Sequence, residues 1–253
     1  MIRDNTTLDA LLADIRSFVR ERWHPLEDQV DRDGAIPEAM VDELRRKGYF
    51  GWSIPEAYGG LGLTTEELVL CAFELSQASV ALRARVGTTT GIGPEALVAD
   101  GTEEQKRRWL PRMATGELTG CLALTEPDAG SEASNVRTTA RREGDHYVLD
   151  GTKRFITNAP LADLFTVIAR TDDAAPGTSG LSAFIVERQT PGLRTGEPYR
   201  KMGQAGSPVS DVIFEGCRVP AANLIGGREG VGFQTVMKVL NKQRLHLAAL
   251  CTG

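Results

Sequence analysis

The sequence predicts an α+β fold in three successive parts: an N-terminal α-helical bundle over residues 1–118, a middle antiparallel β-barrel-like domain over 119–228, and the start of a C-terminal helical domain over 229–253. Three observations predict it. Apolar residues recur at helical spacing through the first part. Between Leu122 and Phe214 that period gives way to short β-branched and aromatic runs separated by turn residues. Most gaps between these runs are shorter than the roughly a dozen residues a parallel crossover needs, so an antiparallel sheet or barrel is expected. Beyond Gly226–Gly232 the helical period returns with Phe233, Val236, Met237, Leu240, Arg244, Leu247 and Ala248.

In chain order, Leu8, Leu11, Leu12, Ile15, Phe18 and Val19 form one apolar stripe with charged residues between them, which predicts an amphipathic first helix. A second helix is expected from Pro37, tolerated in a first turn, to Lys47, with Gly48 as its stop. The Gly- and Pro-rich stretch Gly51–Gly62 reads as a loop. Thr64 and Glu67 then supply a capping box for a helix whose core face uses Leu68, Cys71, Ala72 and Leu75. Thr102 and Gln105 supply another, opening a helix through Trp109 that Pro111 limits. Strands are expected at Leu122–Leu124, His146–Asp150, Arg154–Thr157, Leu164–Arg170, Leu181–Val186 and Val212–Phe214.

With 253 residues, 41% of them hydrophobic and 25% charged, the chain can bury a sizeable core. A net charge of −5 gives no general attraction for nucleic acid or an anionic membrane, and no run approaches the roughly 18 apolar residues of a membrane span. Cys71, Cys121, Cys217 and Cys251 form no C-x-x-C pair, so buried reduced thiols are expected rather than zinc or a redox dithiol. No apolar leader region occurs in Met1–Ala10, and a cytoplasmic protein is expected.

Two segments carry candidate chemistry. Leu122–Ser131 is a strand entering a turn, with hydroxyls at Thr125 and Ser131, and Gly130 freeing the backbone. Such a turn offers N–H groups and hydroxyls to a phosphate or a heteroaromatic edge. In Gly151–Asn158, strand alternation puts Phe155 and Thr157 on one face, where a ring and a hydroxyl could hold a planar ligand. Taken singly, each has a simpler reading, a hydrogen-bonded turn and a packed core aromatic.

Together and in this order they resemble the acyl-CoA dehydrogenase family. The family's T-E-P-x-A-G-S segment is matched by Thr125–Ser131 and its aromatic-I-T-N segment by Phe155–Asn158. Pro55–Gly60, Gly101–Lys106, Lys201–Gln204, and Val219-Pro220 before Asn223–Gly226 add to the likeness, which runs along nearly the whole chain. The resemblance implies FAD bound between the β domain and the helices, with Leu122, Leu124, Thr125 and Ser131 lining it and Phe155, Ile156 and Thr157 beside the ring. It implies acyl-CoA contacts at Ser131, Ser207, Asn241 and Arg244, an electron-transferring flavoprotein as electron acceptor, and a homo- or hetero-oligomer. Phe155 stands where relatives often have Trp, Glu132 where Asp is common, and Asn241 where several have Asp.

The family's reaction pairs removal of the α-proton of a thioester by a carboxylate with hydride transfer to the flavin. Most members carry that Glu in C-terminal helices that this sequence does not include. Others carry it directly before the arginine matched by Arg244, where this sequence has Gln243, whose amide is no base. The catalytic base is therefore unassigned. Glu126, Asp128 and Glu132 are the nearby acids, and His24, His146 and His246 are scattered. A dehydrogenase completed by further helices, a non-catalytic FAD- or acyl-CoA-binding chain, and an oxidase on the same fold are the competing functional readings. The resemblance also leaves the last helix with an apolar face lacking a partner in its own chain.

Overall fold

The computed structural model describes residues 1–253. Its first part is helical. Helix α1 (Asn5–Phe18) starts where the Asp4 carboxylate accepts from the backbone N–H groups of Thr6 and Thr7, and buries Leu8, Leu12, Ile15 and Phe18. Helices α2 (Glu27–Asp33) and α3 (Glu38–Arg46) follow. Both expected capping boxes form, at Thr64/Glu67 before α4 (Thr65–Leu75) and at Thr102/Gln105 before α7 (Glu103–Ala114). Pro111 does not end α7, because Leu110, Met113 and Ala114 around it are anchored in the core.

The sequence reading passed over α2, α5 (Val80–Gly87) and α6 (Glu95–Asp100). Helix α5 runs on into a π-helical turn, Thr88–Ile92. Its Thr and Gly residues have low helix propensity, and burial of Ala81, Leu82, Val86 and Thr88–Gly91 overrides it.

The middle part is one curled sheet of β1 (Gly120–Ala123), β2 (Thr139–Glu143), β3 (His146–Thr157), β4 (Leu164–Arg170), β5 (Leu181–Glu187), β6 (Leu193–Thr195) and β7 (Val209–Pro220). The spatial order is β1-β4-β2-β3-β7-β6, with β5 on the other side of β4. Two expected short strands prove to be the single long strand β3, and β2 and β6 are additional. The sheet is mixed rather than purely antiparallel. Strand β1 pairs parallel with β4 from Gly120↔Leu164 to Ala123↔Val167, and β2 meets β4 in parallel at one position. The whole β2–β3 hairpin lies between β1 and β4 in sequence, which supplies a long enough crossover.

Three cores result. One lies among the N-terminal helices around Trp23, Leu44 and Phe50, and one fills the sheet interior around Phe165, Phe184 and Phe214. The third joins helix residues Leu97, Trp109 and Leu110 to sheet residues Leu164, Ile168 and Ile185 and to Val236 and Val239 of α8 (Gly232–Thr252). Helix α8 therefore has partners in its own chain, contrary to the expectation of a bare apolar face, although Leu245 and Leu247 stay about half exposed. Of the cysteines, Cys71, Cys121 and Cys217 are buried and Cys251 is exposed at the end of α8. No helix is long and apolar enough to cross a membrane.

Candidate flavin and acyl-CoA cleft

A cleft of about 470 Å³ opens between α5 with its π-turn, the ends of β1 and β3, and α8. Of the residues singled out from sequence, Leu122, Leu124, Thr125, Phe155, Ile156, Thr157, Gln243 and Arg244 line it. Ser131, Ser207 and Asn241 do not. Ser131 is exposed on the turn, Asn241 is exposed with its Oδ1 accepting from Arg244, and Ser207 is buried with an unpartnered hydroxyl.

Phe155 and Thr157 share the cleft face, but simple alternation does not put them there. Between Lys153 and Ile156 the β3–β7 register shifts by one residue, a β-bulge. At the bulge Phe155 takes φ +59°, a left-handed conformation unfavourable for an aromatic residue, and the residue is 61% exposed. Tyr199 flanks the ring at a centroid distance of 5.1 Å. The bulge also lets Lys153 and Ile156 both point inward.

The acids near the cleft do not line it. Lys153, fully buried, donates to Glu126 Oε1 at 2.7 Å and to the Leu124 carbonyl at 3.2 Å. Glu126 also accepts from the backbone N–H groups of Arg137 and Thr138 and from the Thr138 hydroxyl. Burial pushes the Glu126 carboxyl up, but the Lys153 charge and these hydrogen bonds outweigh it and hold it below the usual range. Burial pushes Lys153 down despite the pair. The pair ties the Thr125 strand end to β3, and none of Glu126, Asp128 and Glu132 lines the cleft. No Asp or Glu does.

The helical wall is held by Asn158, also left-handed at φ +59°, whose buried Nδ2 donates to the Ala84 carbonyl at 3.0 Å and to Thr88 Oγ1 at 2.9 Å. Another wall residue, Gln204, has φ +58° and belongs to a loop tied by Lys201 Nζ to the carbonyls of Gln204 and Ser207. On α8, Gln243 Oε1 lies 3.3 Å from His246 Nδ1, while Gln243 Nε2 and His246 Nε2 have no partner. Burial, then the charges of Arg83 and Lys242, push His246 down to about 4, so it is neutral near pH 7.

Sequence reasoning missed Arg83, Gln204 and the leucines Leu240, Leu247 and Leu250 as cleft residues. One signal pointed to Arg83: it stands in the apolar run Val80-Ala-Leu-Arg-Ala with no acid three or four residues away to pair with it.

A helical bundle, a curled sheet and a further helix enclosing an apolar cleft with hydroxyls and one presented aromatic ring define a protein built to hold a large, partly planar ligand. The family model for the acyl-CoA dehydrogenase N-terminal domain matches residues 5–117, and that for the acyl-CoA dehydrogenase middle domain matches residues 121–217. The chain is 38% identical to the acyl-CoA dehydrogenase of Bacillus subtilis (strain 168), over 94% of its own length and 62% of that protein's. It is also 38% identical to the caffeyl-CoA reductase–Etf complex subunit CarC of Acetobacterium woodii, over 89% of its length and 59% of that subunit's. The structure of Bacillus anthracis acyl-CoA dehydrogenase complexed with FAD superposes with a TM-score of 0.88 at 34% identity, covering 98% of this chain and 43% of that one. The chain belongs to the acyl-CoA dehydrogenase family. It spans about three fifths of the length of the two curated relatives.

Proposed function

We propose that the chain forms the flavin- and thioester-binding part of an FAD-dependent acyl-CoA dehydrogenase, which oxidises the α,β-bond of an acyl-CoA. The observation that carries this reading is Phe155, held in a strained backbone conformation with its ring presented to an apolar, hydroxyl-bearing cleft. FAD, when bound, supplies the acceptor for the β-hydride. Phe155 offers a stacking face, Leu122, Leu124 and Ile156 give apolar contact that excludes water, and Thr125 and Thr157 offer hydroxyls to its polar edge. Arg244, half in the cleft, suits a phosphate of the CoA arm, and Ser131, Ser207 and Asn241 are assigned with it on the family resemblance.

Removal of the α-proton is not assigned to a lining residue. On the family resemblance, Gln243, which lines the cleft, stands where some members carry the carboxylate, and its amide can donate a hydrogen bond but not take a proton. This observation also favours a second reading, in which these residues bind FAD and acyl-CoA without oxidation unless a carboxylate comes from outside them. We assign an electron-transferring flavoprotein as the acceptor of the reducing equivalents, consistent with the complex named for the Acetobacterium relative. A homo- or hetero-oligomer remains part of the proposal.

An anaerobic titration of the FAD-reconstituted chain with short- and medium-chain acyl-CoAs, followed in the visible flavin band, tests the proposal. Bleaching supports dehydrogenation by these residues. A bound flavin perturbed but not reduced by the thioester supports the binding-only reading, and failure to retain flavin overturns both.

A further inference from the structure

Across the β3 bulge, two residues of one strand face a single residue of the other. On β7 that residue is Asp211: Lys153 pairs with Val212 and Ile156 with Ser210, which leaves Arg154 and Phe155 opposite it. The Asp211 carboxylate ties both sides of the kink. Its Oδ1 accepts from the Tyr199 hydroxyl at 2.7 Å and lies 3.7 Å from Arg154 Nε. Arg154 is held in turn through its backbone N–H, which donates to the Thr125 carbonyl at 2.7 Å.

Tyr199 is fixed to β7 at two points. Besides the hydroxyl, its backbone N–H donates to the Val209 carbonyl at 2.8 Å. Between these anchors its ring lies 5.1 Å from that of Phe155, at an interplanar angle of 49°. Phe155 lines the cleft and Tyr199 does not, so the tyrosine meets the phenylalanine from outside the cleft. The loop that leaves Tyr199 reaches the cleft wall at Gln204, where the Lys201 ammonium closes it.

Phe155 and Tyr199 are both exposed, so their contact adds little to the core. An exposed aromatic side chain loses rotamer freedom when a ligand stacks on it, and a ring fixed beforehand loses less. We infer that Tyr199 is a positioning residue for flavin binding: anchored by Asp211, it holds the Phe155 ring in the orientation that receives the flavin. The inference rests on the proposed function and assigns to it a residue outside the cleft.

The test is FAD affinity of the chain and of the variants Tyr199→Leu, Tyr199→Phe, Phe155→Ala and the Phe155→Ala/Tyr199→Leu double. Visible circular dichroism of the bound flavin and urea midpoints of the FAD-free chains accompany it. Tyr199→Leu is expected to weaken FAD about fivefold, the size of a lost aromatic pair, and to lower the flavin dichroism while leaving the urea midpoint unchanged. Tyr199→Phe keeps the ring and the Val209 anchor, and is expected to bind FAD within about twofold of the wild type. A tyrosine that acts through Phe155 has nothing left to position once that ring is gone. The double variant is therefore expected to stay near the loss of about tenfold expected for Phe155→Ala alone. Independent effects would multiply to about fiftyfold and overturn the inference. Unchanged FAD affinity in Tyr199→Leu overturns it too and leaves the proposed function standing. A loss of affinity that comes with a lowered urea midpoint and is not recovered in Tyr199→Phe assigns the tyrosine to the fold and likewise overturns it. If the wild-type chain binds no FAD, inference and proposed function fall together.

Discussion

Phe155 carries the functional reading and adds little to the fold, because the residue is largely exposed while its backbone sits at φ +59°. Phe155→Ala is expected to weaken FAD binding by about tenfold and change folding stability by less than about 0.5 kcal/mol. Thr125→Ala should act in the same direction. Flavin retention on dialysis, measured beside urea midpoints, separates the two effects, and unchanged flavin affinity in both variants would sink the cleft assignment. Lys153 is the opposite case, buried beneath the cleft and bound to Glu126. Lys153→Ala strands a buried carboxylate and should cost about 3–5 kcal/mol in denaturant unfolding. His246 ties stability to pH. Its native pKa of about 4 lies below the ordinary 6.5, so the unfolded chain takes up the proton first as pH falls. Stability from this residue is therefore complete above about pH 6.5 and lost progressively towards pH 4, about 2 kcal/mol of it by pH 5. Unfolding free energies at pH 7.5 and pH 5 check this; His246→Gln should show a shallower pH slope than the wild type.

At the scale of elements, the capping boxes and the bulge divide the work. Thr102 starts α7, and Gln105 within the same box also reaches the carbonyls of Ala222 and Leu224 across the fold. Thr102→Ala should therefore cost about 1–2 kcal/mol, the upper part of the range for a cap, read as a shift in thermal midpoint. Both boxes were legible because their signal is local: a hydroxyl three residues before a side chain that reaches back. Helix α5 was not legible, because its π-turn of Thr and Gly residues is made helical by burial and by Asn158, which lies 74 residues from Ala84 and 70 from Thr88. The β3 bulge was hidden for a similar reason. A register shift is a property of a strand pair, and β7 lies more than fifty residues further on.

For the whole molecule, the core that joins Trp109, Ile168 and Val236 makes the helical and sheet parts interdependent. Ile168→Ala, at a fully buried position in that core, should cost about 2–5 kcal/mol. The loss should appear at the same denaturant concentration in tryptophan fluorescence, which reports Trp23 and Trp52 in the N-terminal core and Trp109 in the shared one, and in far-ultraviolet circular dichroism. Separate transitions would show that the shared core does not couple the parts.

By itself the sequence determined the succession of helices, strands and helix, the capped helix starts, and the cleft residues Leu122, Leu124, Thr125, Phe155, Ile156 and Thr157. These rest on periodicity, on contacts within a turn of helix, and on motifs collinear with a family. Only the tertiary structure decided the parallel pairing of β1 with β4, the occupation of Glu126 by Lys153, and the seating of Gln243 on Gly91. Each joins residues far apart in the chain, and what selects the partner is burial: a charge or amide removed from water interacts with whatever the fold brings beside it.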